Sequence, residues 1–128
     1  MNTFIITADK VPALLDRLRL QRTATAESAQ NARNILAKAA EAQSPENLLS
    51  IVEEIAIYET KSAIFNAFIP KEGAPDPDPL MLASRFVTLS LVAADATWSG
   101  TGNGLRLKVH AARIEALRDI RYRIFPEA

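Results

Sequence analysis

The sequence predicts an all-α fold, an antiparallel four-helix bundle with a long first helix. Apolar residues recur at spacings of three and four from Thr7 to Phe125, and no stretch alternates apolar and polar residues long enough to argue a strand. Breaks rich in Pro or Gly divide the chain into four segments of helical length joined by short connections. The composition of the 128 residues, 48% hydrophobic and 23% charged, suits one ordinary core. We therefore read residues 1–128 as a single helical domain, with residues 1–8 as an extended N-terminal arm.

The first helix is expected to begin near Asp9 or Val11, with Asp9 as a cap and Pro12 tolerated in the first turn, and to run to about Ala42. Its length, ~50 Å at ~1.5 Å per residue, exceeds that of the others, so it must overhang, bend or break. The stretch from Arg22 to Asn31 has weak helix propensity and no large apolar side chain, which makes it the expected place. Ser44 caps the second helix with Pro45 in its first position, and Pro70 stops it. Residues 70–79, with four prolines, form a stiff loop. The third helix starts at Asp78-Pro79 and ends by about Trp98. A glycine-rich turn follows, and Asn103 caps a fourth helix that stops at Pro126.

On a helical wheel the third helix leaves only a narrow polar stripe, Ser84, Thr88 and Asp95, and reads as the central helix of the bundle. The second helix has a broad apolar face through Leu48, Ile51, Val52, Ile55, Tyr58 and Phe65. A second row, Ile57, Ile64 and Phe68, emerges on the side that also carries Glu46, Glu53 and Lys61. One helix with two apolar faces contacts two things, and the Ile57 row is expected to be a subunit interface.

Function classes are bounded mainly by what is missing. No cysteine means no disulfide, thiolate nucleophile, iron-sulfur cluster or Cys-ligated zinc, and one histidine excludes a two-His metal site. No cofactor and no metal are expected. Fifteen basic and fifteen acidic side chains cancel. Their distribution is uneven: six basic and three acidic in residues 1–40, two and eight in 41–80, seven and four in 81–128. An acidic second helix and loop between basic flanks suggests complementary pairing inside the fold or across a dimer. The N-terminus lacks a positive region ahead of a long apolar run, so a cytoplasmic location is expected. Leu80 to Ala94, interrupted by Arg85, is too short to span a bilayer, and no membrane association is expected.

One constellation carries chemical content. Arg106, His110, Arg113 and Leu117 follow at spacings of four, three and four, forming one row along a helix face between two apolar strips. Cations so placed require an opposing anion or access to water. Glu59 and Asp95 are the internal candidates. The alternative is a bound anion or nucleic acid, with Gly102 and Asn103 presenting a helix N-terminus one turn from Arg106. The glycine spacing matches neither a P-loop nor a dinucleotide-binding turn. Arg118, Arg121 and Arg123 point around the helix and are interrupted by Glu115 and Asp119, so a nucleic-acid surface is not favoured.

Arg106 and His110 resemble the Arg…His signature of HEPN-type helical ribonucleases, although only three residues intervene here, fewer than in that signature. No Glu-x-x-His pair of a ferritin-like site is present, and no nucleophile stands near the histidine, so no catalytic residue is assigned and an enzyme is not expected. The segment Asp95-Ala-Thr-Trp98-Ser99-Gly100-Thr-Gly-Asn103, followed by a basic helix, resembles a segment of small helical bacteriophage proteins. It covers fewer than thirty residues and implies a phage or prophage origin but no particular activity. The expectation is a non-enzymatic protein that acts through protein-protein contact or as a homo-oligomer.

Overall fold

A computed structural model describes residues 5–39, 45–99 and 104–126, with backbone only at 45 and 96–99. A 3-10 turn, Ala8–Lys10, leads into α1 (Val11–Ala39); α2 (Pro45–Asn66), α3 (Pro79–Ser99) and α4 (Gly104–Ile124) follow. The described residues contain no strand.

The local signals for these boundaries act as expected where prolines and caps are present. At α3 the Met81 N–H donates to Asp78 Oδ1 at 2.8 Å, and Pro79 follows the cap, where its missing N–H costs nothing. At the end of α2 the chain tightens into i to i−3 bonds, Phe68 N–H to Phe65 O and Ile69 N–H to Asn66 O, before Pro70. The loop then folds back in a turn closed by Ala74 N–H to Lys71 O at 2.9 Å. Gly73 supplies the positive φ of +85° at the turn's third residue. At the N-terminus the expectation for Asp9 is corrected. Thr7 precedes the 3-10 turn, Asp9 lies inside it, and its carboxylate accepts from the Thr7 hydroxyl rather than capping α1. The assigned caps Ser44 and Asn103, and the side chain of Trp98, lie outside the described residues.

α1 runs without a break through residues 22–31, ~43 Å in all. Weak propensity there is offset by tertiary contact. Ala29 and Ala32 are buried, and α2 packs along the helix. The Thr25 hydroxyl is satisfied by the carbonyls of Gln21 and Arg22.

Inter-helix bonds fix the topology. Arg22 donates to Asn66 Oδ1 at 2.9 Å and Arg33 pairs with Glu59, so α1 and α2 are antiparallel. Phe86, early in α3, meets Phe125, just past α4, edge-on at 5.6 Å, so the second hairpin is also antiparallel. Lys108 pairs with Glu53 and Lys61 with Glu115, so α2 and α4 run parallel, side by side. The principal contacts run α1 to α2, α2 to α4, and α4 to α3.

This order overturns two expectations. α3 is a marginal helix, not the central one: it packs mainly on α4, and Leu80, Met81, Val87, Leu91 and Val92 stay exposed. Most of both apolar faces of α2 is at least half-buried within the chain, with Val52 the exception. Phe68 is fully buried, Ile64 is buried and Ile57 is half-buried, so the Ile57, Ile64 and Phe68 row is no subunit interface. A helix between α1 and α4 needs apolar side chains on both flanks.

The core is gathered at one end of the molecule. Val11, Leu14, Leu15 and Leu18 from the start of α1 meet Ile64 and Phe65 from the end of α2 and Phe68 from the turn after it, Leu82 and Ala83 from the start of α3, and Leu117, Ile120 and Ile124 from the end of α4. The arm closes this end, with Ile6 buried and its N–H donating to Ile124 O at 2.9 Å.

Candidate functional site

The basic row of α4 descends from solvent toward the core. Arg106 is exposed, His110 and Arg113 are half-buried, and Leu117, one turn further on the same face, is buried. The internal partners assigned to this row are elsewhere: Glu59 pairs with Arg33 on α1, and Asp95 is exposed on α3. Among the described residues Arg113 makes no ion pair, and His110 Nδ1 is shielded from solvent without a hydrogen-bond partner. Arg113 stays half open to solvent, where hydration replaces a partner. Gly102 and Asn103, assigned to an anion site with Arg106, lie outside the described residues.

Elsewhere ion pairs join helices, Arg33 with Glu59, Lys61 with Glu115 and Lys108 with Glu53. Glu53, with only 15% of its side chain exposed, accepts from Lys108 at 2.9 Å, and Lys61 donates to Glu115 at 3.0 Å. The acidic α2 is thus complemented by basic side chains of α1 and α4 within one chain. An open cleft of about 520 Å³ lies between α1, α2 and α4, bordered by Gln21, Lys61, Phe65, Glu115, Asp119 and Tyr122. Its polar groups also engage one another: Gln21 Nε2 donates to Asp119 Oδ2 at 2.6 Å, and Arg123 reaches the same carboxylate at 3.4 Å. Only Gln21 Oε1 and Arg123 Nε remain buried without a partner there. Both carboxylates of the cleft are engaged, Glu115 by Lys61 and Asp119 by Gln21 and Arg123, while Arg118 also borders it. Sequence reasoning missed it because it joins residues 98 positions apart.

No family model, curated protein or solved structure matches the chain.

The largest departure of the molecule's surface from an ordinary one is the outer face of α3. Leu80 is 70% exposed and Leu91 is 64% exposed, with Val87 between them and Met81 and Val92 on one flank. Leu80, Ser84, Val87, Leu91 and Ala94 follow at spacings of four, three, four and three, and all five are exposed. That is the spacing of a coiled-coil seam, the row of positions that meets a partner helix. A shallow depression of about 540 Å³, bordered by Asp78, Leu80, Met81, Ser84, Arg85 and Thr88, lies beside its first half. The inward side, Leu82, Phe86, Leu89 and Ala93, is covered. The signal was present in the sequence as a nearly all-apolar helix, and a wheel alone assigns such a helix to the interior.

Proposed function

We propose that this chain acts without catalysis, through protein-protein contact made by the outer face of α3. One observation carries the reading: five seam positions with heptad spacing, three of them large and apolar, stand exposed on a helix whose opposite side is already packed. Exposed aliphatic rows of this regularity favour removal from water by a partner helix, at roughly 25 cal/mol per Å² covered. The cleft, whose carboxylates are already engaged by side chains of the same chain, supports contact over chemistry. We read the protein as cytoplasmic from its N-terminal sequence; no helix among the described residues is long and apolar enough to cross a membrane. The Asp95 to Asn103 resemblance supports a phage or prophage origin.

The test is sedimentation of the tagged chain in extract of the cells that make it. Wild type is expected to travel in an assembly heavier than its own 14.0 kDa. A Val87→Glu, Leu91→Glu variant, folded by circular dichroism, is expected to travel at the monomer's mass. Wild type at monomer mass in extract overturns the reading.

A further inference from the structure

Resting on that reading of α3, we propose that the partner is a second copy of this chain, docked α3 against α3 in antiparallel orientation about a two-fold axis near Leu89. The argument begins with register. Antiparallel coiled coils pair the two alternating seam positions of one helix with the opposite kind on the other. The register that overlaps the helices along most of their length sets Ser84 opposite Ala94 and Val87 opposite Leu91. Small thus meets small and large meets large at both levels, and each pairing occurs twice by symmetry. All four residues are exposed in the single chain.

Charge decides the orientation. Arg85 and Asp95 both lie on the flank of the seam that carries Met81 and Thr88, and both are exposed. In the antiparallel arrangement like flanks face each other, and Arg85 of one copy stands within two residues, ~3 Å along the axis, of the level of Asp95 in the other. A guanidinium spans that offset readily. Arg85 Nη1 already donates to Ala67 O at 2.8 Å, which anchors the side chain while leaving further donors for a carboxylate. A parallel pair would set Arg85 level with Arg85 and put Asp95 about ten residues, ~15 Å, away. The depression bordered by Leu80, Ser84, Arg85 and Thr88 is where the end of the partner helix bearing Asp95 would come to rest.

The absence of cysteine makes the orientation directly readable by cross-linking. Purified wild type in light scattering should weigh twice 14.0 kDa at micromolar concentration. The Leu91→Glu variant should weigh half as much. An equimolar mixture of Ser84→Cys and isotopically labelled Ala94→Cys, mildly oxidised, should give the mixed disulfide-linked dimer, and neither protein alone should cross-link. Val87→Cys with Leu91→Cys provides a second pair should either of the first fail to fold. A Ser84→Cys protein that links to itself overturns the antiparallel orientation. A monomer at every concentration when purified overturns the second copy as partner. If that monomer still travels in a heavier assembly in extract, the contact reading stands without this inference.

Discussion

Lys108 donates to Glu53 across the α2–α4 boundary at 2.9 Å, and the carboxylate is the more shielded of the two groups. The pair matters because α2 and α4 are parallel, so their helix dipoles do not assist the packing, and this contact ties the two helices at one level. A double-mutant cycle with Glu53→Gln and Lys108→Met should give a coupling of about 0.2–1 kcal/mol by urea unfolding. Half of the ammonium side chain is solvated, which limits the figure. Additive single losses would mean that the pair does not hold the helices in register.

The burial of Phe68 makes a sharper prediction. Phe68→Ala should cost about 3–5 kcal/mol, a large share of the stability of a domain this size, without changing the protein's mass in solution at temperatures where it stays folded. In the Leu91→Glu background, where the α3 face stays exposed, Leu80→Ala should shift the thermal midpoint little. Comparable shifts for the two would contradict the assignment of inner and outer faces.

Asp78 holds the start of the helix that presents the seam. Asp78→Ala should lower stability by about 1 kcal/mol, and Asp78→Ser should recover most of it, as read from chemical unfolding. An equal loss in both variants would locate the effect elsewhere than in the cap.

Acid should act through the first turn. The Thr7 hydroxyl, donating to the Asp9 carboxylate, is the main cause that holds its pKa below the ordinary value, with help from the Asp9 N–H and Lys10 against a slight desolvation. A carboxylate depressed in the folded state contributes stability that is fully present above its unfolded pKa, ~4, and is lost as pH falls through the folded value. Thr7→Val should remove part of this, so the thermal midpoint of wild type should fall more steeply than the variant's below about pH 4. Parallel acid limbs would show that the Thr7 bond makes no contribution.

How far the sequence was readable depends on how local the signal is. The Asp78-Pro79 start and the Pro70 stop were legible because a cap or a missing N–H acts within one turn. The uninterrupted α1 was not, because Thr23, Thr25, Ser28 and Asn31 are weak helix formers and the sequence does not show that Ala29 and Ala32 are the small residues buried where α2 packs. The Ile57, Ile64 and Phe68 row was identified correctly as a second apolar face, yet its partner could not be read, since a wheel shows how many faces a helix has and not what meets them. The same blindness put α3 at the centre. Its inner side, Leu82, Phe86 and Ala93, and its outer side, Leu80, Val87 and Leu91, are equally greasy, and only the packing order of the four helices separates them. The Arg106 row was found by spacing alone, but its graded descent into the core depends on Leu117 and Ile124 being shared with other helices.

The gathering of large buried side chains at the arm-bearing end leaves the far half of the α1–α2 hairpin sealed by little more than Ala29, Ala32 and Ala39. Amide exchange should therefore be graded along each rod of this hairpin, faster toward Ala39 and Glu46 and slowest around Leu15 and Phe65. Heating would loosen the molecule like a clothes-peg whose jaws part before its spring fails.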